Sequence, residues 1–335
     1  MLFKTYLPSE KELPLLNEDH ILGFDEIEVS KEDTKCKLAE KWIPKTVVDS
    51  ELQVNENDTQ IHIKGREFAY TIDKRTALFT EMKFAGREYL NHPMELNIWR
   101  APTDNDMYIK SEWKKAHYDK AYTRAYTTEV VQGKHGVKIT SHASVVAETV
   151  QKILDVTITW KIEAAGKIDA DIAVTKDDEF PDLPRFGVRM FLDKKLSAAR
   201  YFGMGPQESY CDKHQAASHG LYHANVDDLH EDYIRPQENG SHYDCEYVEL
   251  NNSRYGIVVS AENAFSFNAS YYTQEELEKK THNYELTESD SVVFCVDYAL
   301  NGIGSNSCGP VVLDQYRFDD VLFRFQFTLI PYVKG

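Results

Sequence analysis

Cysteine is scarce in this 335-residue chain: five in all, an odd number, with no Cys-x-x-Cys. Cys36, Cys211, Cys245, Cys295 and Cys308 are too scattered for a disulfide framework, and this usage fits a reducing compartment. No apolar run reaches the length of a membrane span. The opening Met1-Leu2-Phe3-Lys4-Thr5-Tyr6-Leu7-Pro8-Ser9-Glu10 lacks the apolar core of a signal peptide, so a cytoplasmic protein is expected. Basic residues are in deficit, with 38 Lys and Arg against 55 Asp and Glu, a formal net charge of −17. Such a surface repels phosphates, so neither nucleic acid nor an anionic membrane is an expected partner. Neutral substrates such as sugars remain open. No Gly-rich phosphate loop follows a strand pattern and no Gly-x-Ser-x-Gly elbow is present, which removes two common anchors for nucleotide binding and serine hydrolysis. Helix signals are few; Thr273-Gln274-Glu275-Glu276 has the form of a capping box that starts one short helix.

What is abundant is aromatic, with 20 Tyr, 16 Phe and 4 Trp, and it falls in strand patterns. Leu154, Val156, Ile158, Trp160 and Ile162 alternate with polar residues. Ile168, Ala170, Ile172 and Val174 do the same after Ala165-Gly166-Lys167, which reads as a hairpin with one buried face. Phe186 to Leu192, Phe265 to Tyr271 and Val321 to Leu329 repeat the alternation. Many half-buried strands with few helices between them predict a large antiparallel sandwich over residues 51–335. Residues 1–50 read differently: charged, with three Pro and one clear strand, Ile21-Leu22-Gly23-Phe24-Asp25-Glu26-Ile27-Glu28-Val29. One or two strands do not make a domain, so this piece is expected to complete a sheet whose other strands lie elsewhere, in this chain or in a partner.

Between the strands lie loops with more chemistry than periodicity. Trp99-Arg100-Ala101-Pro102-Thr103-Asp104-Asn105-Asp106 joins an indole and a guanidinium to three short polar side chains around a fixed Pro. It reads either as a shaped turn with a packed Trp or as the edge of a pocket. The stretch 201–250 carries Gly203-Met204-Gly205-Pro206-Gln207-Glu208-Ser209-Tyr210 and Arg235-Pro236-Gln237-Glu238-Asn239-Gly240, and is expected to be the longest loop region. If the chain held a glycosidase carboxylate pair, Glu208 and Glu238 would be the first choices, but bracing loops through backbone amides is the preferred reading of both. His219 and His223, four apart, could share a helix face, but with no third ligand a metal site is poorly supported against solvated histidines. Asn301-Gly302-Ile303-Gly304-Ser305-Asn306-Ser307-Cys308-Gly309-Pro310 is a second candidate site, whose plain reading is a long turn with Cys308 as a small buried hydrophobe. No basic residue adjoins Cys308 to activate its thiol.

Taken in order, the stretches 99–106, 203–210, 235–240 and 302–310 resemble the C-terminal part of glycoside hydrolase family 2 β-galactosidases, and most of all the small subunit of the two-chain enzymes. The resemblance covers nearly the whole chain. His20-Ile21-Leu22-Gly23-Phe24-Asp25-Glu26-Ile27 also resembles the end of the immunoglobulin-like domain that precedes this region.

That resemblance implies an all-β fold: a galactose mutarotase-like β-supersandwich over 51–335, preceded in 1–50 by a fragment of an immunoglobulin-like β-sandwich. It implies a heterodimer, or multiples of one, with a large subunit that hydrolyses terminal β-D-galactose, as in lactose, with retention and transfers galactose to other sugars. Family catalysis uses two Glu residues on a TIM barrel. This chain shows no eightfold strand–helix alternation, so the Glu pair and the Mg²⁺ and Na⁺ sites are expected on the partner, with no catalytic residue and no metal ligand here. By resemblance, Asp104, Asn105, Ser307 and Cys308 form the edge of the active site, and Asp106 and Tyr108 lie on a loop bordering it. Ser307-Cys308 stands where single-chain relatives have a Trp that stacks on the glucose side of the substrate, and a sulfur offers no such face. Tyr108 stands where they have Gly, so the same loop motion is not implied. A free-standing mutarotase or a sugar-binding module are the alternatives.

Overall fold

The computed structural model describes residues 2–8, 21–28 and 52–334. Cys36 and the boundary near residue 50 lie outside the described residues. β1 (Leu2–Pro8) and β2 (Ile21–Glu28) pair antiparallel as a two-stranded sheet. The strand expected over 21–29 thus has a partner that the sequence reading did not mark. β1 carries Phe3, Thr5 and Tyr6, good strand formers, but no strict alternation to reveal it.

A five-stranded sheet follows in simple order: β3 (Gln53–Glu56), β4 (Gln60–Lys64), β5 (Phe68–Asp73), β6 (Leu78–Phe84) and β7 (Arg87–Glu88). The rest of the chain forms a twelve-stranded antiparallel sheet. Its members are β8 (Leu90–Asn97), β9 (Tyr122–Gln132), β10 (Gly136–Val146), β11 (Leu154–Glu163), β12 (Ile168–Lys176), β13 (Arg185–Asp193) and β14 (Ala198–Gly205). β15 (Ser218–Asn225), β16 (Ser241–Asn251), β17 (Tyr255–Ser270), β18 (Ser291–Leu300) and β19 (Leu322–Val333) complete it. The path runs β15-β14-β16-β17-β19-β12-β11-β10-β9, while β13 joins β8 to β18.

β17 is the joint between the two parts. Its residues 255–260 pair with β19, and its residues 266–270 pair with β18. Residues 262–264 between them are exposed. One strand therefore belongs to two neighbourhoods, and the sheet folds over a shared core.

The period-2 pattern is realised in β11 and β12, whose apolar positions are buried. In the register Ile158 faces Ile172 and Trp160 faces Ala170. Phe323, Phe325, Phe327 and Leu329 of β19 are buried in the same way, whereas Val321 lies before the strand and is exposed. The five-stranded sheet contributes to this core. Phe79 meets Trp160 edge to face at 4.9 Å, and the Trp160 indole donates to the Ala77 carbonyl at 2.8 Å. Fully burying one such apolar side chain is worth about 1.5–3 kcal/mol, which fixes the two sheets against each other. The capping signal at Thr273 holds: its hydroxyl accepts from the Glu276 amide and opens the helix Gln274–Lys279.

The stretch 201–250 is less of a loop than expected, because β14, β15 and β16 occupy much of it. Glycines and histidines dilute the apolar alternation that would have marked these strands. His219 and His223 accordingly lie on a strand and not on a helix.

Candidate functional site

Four segments that are far apart in sequence meet: the exit from β8, the β14–β15 and β15–β16 connections, and the long connection from β18 to β19. The exit from β8 is built first. Asn97, the last residue of that strand, accepts from the Trp99 amide at 3.0 Å and bends the chain inward. Trp99 is buried and meets Trp113 edge to face at 6.2 Å. Trp113 belongs to the helix Ile109–Lys115 that follows. Arg100 is fully buried. Its guanidinium makes a two-pronged bond to Asp106, 2.7 and 3.1 Å, and also donates to the carbonyls of Asn301 and Gly302. Asp106 in turn accepts from the Thr103 amide at 2.9 Å and the Thr103 hydroxyl at 3.1 Å, closing a capping box. Burial opposes the charge on Arg100, but Asp106, with Glu238 nearby, holds its pKa above the ordinary value.

Behind this layer sits a second buried arginine. Arg185, at the start of β13, binds Asp297 of β18 in two-pronged fashion and reaches Glu238 at 3.2 Å. Burial pushes the carboxyls of Glu238 and Asp297 upward, against the pull of Arg185. The Glu238 amide donates to the Ala101 carbonyl at 3.0 Å, so 235–240 is pinned to 99–106. Glu208 is likewise occupied: Lys213, the Tyr233 hydroxyl and the Gly240 amide all bind its carboxylate. The first-choice carboxylates are therefore braces.

Asn105 and Ser307 meet directly. The Asn105 amide donates to the Gly304 carbonyl at 2.7 Å, and its oxygen accepts from the Ser307 hydroxyl at 2.8 Å and the Ser307 amide at 3.3 Å. Cys308 is exposed beside Ser307, contrary to the buried reading. Asp104 is exposed, and its amide donates to Gln237 at 3.1 Å. Asp106 points inward and does not reach the rim, while Tyr108 is exposed just before the helix. A cavity of about 320 Å³ backs onto the same connection, with Cys211, Tyr243, Tyr298, Leu300, Tyr316 and Phe318 in its wall.

Sequence reasoning missed Arg185, Asp297 and Asp212, and it gave His219 a different part. Arg185 and Asp297 are charged residues inside apolar strands, a signal in itself, since such residues are rarely buried unless paired. Asp212 binds the Ile303 and Gly304 amides at 2.9 and 2.7 Å, and nothing local to it marks that role. His219, on β15, holds Glu26 of β2 and Asp244 at 2.8 Å each. Among the described residues, no three His, Cys, Asp or Glu side chains are grouped to hold a metal ion, and no helix is long and apolar enough to cross a membrane.

The model of the β-galactosidase small chain family matches residues 64–329, a span that contains all four converging segments. The chain belongs to that family. It is 44% identical over 317 residues to a β-galactosidase of Actinobacillus pleuropneumoniae, covering 94% of this chain and 30% of that protein. It is 32% identical over 314 residues to one of Staphylococcus xylosus, covering 93% and 31%. The chain thus spans about three tenths of the length of these relatives. A galactose 1-epimerase from Lactobacillus acidophilus aligns loosely, at 8% identity and a TM-score of 0.44, over 85% of this chain and 99% of that one. The theme of the site in this small chain is restraint: most of its charged groups hold loops together.

Proposed function

We propose that this chain is the non-catalytic small subunit of a cytoplasmic, retaining β-galactosidase that hydrolyses terminal β-D-galactose, as in lactose, and transfers galactose to acceptor sugars. The observation that carries this reading is the state of the carboxylates at the converged loops. Retaining hydrolysis needs one carboxyl to protonate the leaving oxygen and a second to attack the sugar, about 5–5.5 Å apart and free to do so. Here Asp106 is held by Arg100, Glu208 by Lys213 and Tyr233, Glu238 by Arg185, and Asp212 by two backbone amides. A site so occupied supports and borders; the Glu pair belongs to a large subunit that supplies the length this chain lacks relative to its relatives. Mg²⁺ and Na⁺ belong, in the same proposal, to sites on the large subunit.

The rim fits that partner. Met107, Tyr108, Ile234, Val311 and Leu313 are 42% to 89% exposed, and all lie on the segments that meet at the site. Large exposed apolar side chains gathered on functional loops are the mark of an interaction surface. Ile21, Leu22, Phe24 and Ile27 of β2 are also exposed, as suits a fragment that completes an immunoglobulin-like sandwich of the large subunit. In this assembly Asp104, Asn105, Ser307 and Cys308 form the acceptor-side edge of the pocket, and Tyr108 borders it.

The test is reconstitution. The pure chain should leave a nitrophenyl galactoside intact, and activity should appear when the large subunit is added. Full hydrolysis by the chain alone would refute the reading, and rapid mutarotation of fresh α-galactose by the chain alone would favour an epimerase.

A further inference from the structure

We infer that Asp212 is a positioning residue for the 301–310 loop and, through it, for the acceptor sugar, an inference that rests on the reading of that loop as an edge of the pocket. The loop leaves β18 with its backbone polar groups outside any ladder, and such groups must find partners. The Asn301 and Gly302 amides go to the carbonyls of Pro184 and Tyr316, and three side chains supply others. Arg100 takes the carbonyls of Asn301 and Gly302; Asn105 takes the carbonyl of Gly304 and the amide of Ser307. Asp212 takes the two consecutive amides of Ile303 and Gly304, one with each carboxylate oxygen, at 2.9 and 2.7 Å.

The Asp212 contact is the charged one that faces the exposed end of the loop. Consecutive amides turned to one side, with Gly304 at φ +64°, make a small anion-binding concavity, and the carboxylate fills it. Gly302 adjoins it so closely that a Cβ there would lie 2.8 Å from the Asp212 carboxylate, so glycine makes room for the contact. Beyond Gly304 the chain turns on itself, with the Cys308 and Gly309 amides donating to the Ser305 carbonyl. That turn, which carries Ser307 and Cys308, hangs from Gly304 on one side and from Asn105 on the other. Asp212 is itself held in place, because Tyr210 and Lys213 exchange backbone hydrogen bonds across it at 2.9 and 3.1 Å. Its role is therefore to set where Ser307 and Cys308 stand.

The experiment compares Asp212→Asn and Asp212→Ala with the unaltered chain in the reconstituted two-chain enzyme. Amide hydrogen exchange of residues 301–310 reports the clamp directly. It should rise about tenfold in Asp212→Ala with little change in the core strands. In Asp212→Asn the rise should be smaller, since the carboxamide keeps one acceptor oxygen. Lactose KM should rise about fivefold to tenfold with kcat within a factor of about three, in the same order of variants. Unchanged exchange at 301–310 would overturn the inference. A loosened loop with unaltered KM would leave the clamp standing but overturn the placing of the loop at the substrate, and so the reading beneath it. A fall in kcat at constant KM would overturn the positioning role.

Discussion

Residues 99–106 and 301–310 resemble each other in composition, with small polar side chains around a Pro or several Gly, but they are held in opposite ways. The first is supported from within: Trp99, Arg100 and Asp106 are buried, and its two buried charges satisfy one another. The second has little support of its own. Much of its order comes from Arg100, Asn105 and Asp212 across the gap, with two backbone bonds to Pro184 and Tyr316, and its far end is exposed. The conspicuous motif is thus the frame, and the plainer one is the part presented outward. A motif can identify a family strongly while its most distinctive side chains are buried.

The heaviest blow to this contrast falls on the frame. Arg100→Met strands Asp106 and frees two loop carbonyls, and removing one partner of a buried pair costs about 3–5 kcal/mol. Urea unfolding should show that loss, and an unmoved midpoint would mean that the frame does not depend on its arginine. At the contact between the frame and the outer loop, Asn105→Ala should raise KM roughly tenfold or weaken subunit docking to match, since it removes modest hydrogen bonds near solvent. A thousandfold fall in kcat with KM and assembly unaltered would put Asn105 in the chemistry instead. Cys308→Trp should change stability by less than about 0.5 kcal/mol because the site is exposed. If Cys308 stands beside the acceptor, lactose KM should fall a few-fold, the scale of one aromatic contact; an unchanged KM would place the acceptor elsewhere.

The smallest effect concerns pH. Asp244 first, then Glu26 against the opposing effect of burial, hold the His219 pKa above its ordinary value. The folded chain therefore favours the protonated ring. This contact contributes fully below the ordinary histidine range and fades as pH rises past the raised value. Amide protection in β2 should be greater at mildly acid pH than at alkaline pH, and His219→Gln should flatten the difference. Protection that grew with pH would reverse the sign of the linkage.

The strands of the core were readable because a half-buried strand repeats every two residues, and β11, β12 and β19 keep that period with large apolar side chains. β14 and β15 were not, because glycine and histidine break the alternation where the strands run close to the functional loops. At the site, the loops themselves could be found from composition, but not their partners. Asn105 and Ser307 are 202 residues apart, and Asp212 reaches the loop across 92; such pairings follow from how β8, β14 and β18 are laid beside one another, which no local pattern encodes. Glu208 and Glu238 illustrate the same limit, since a carboxylate that attacks and one that braces are spelled alike until their neighbours are known.

The shared strand β17 has a consequence for how this family can vary. On one edge its two halves are locked to different neighbours, β19 and β18, while β16 pairs with both halves on the other; the exposed residues 262–264 span the interval between them. Exposed side chains there tolerate exchange better than the count does. Inserting or deleting one residue would turn Phe265 and Phe267 from the interior to the outside, or drag the pairing with β18 out of step. Chains related to this one should therefore differ widely in the letters of that interval and hardly at all in its length.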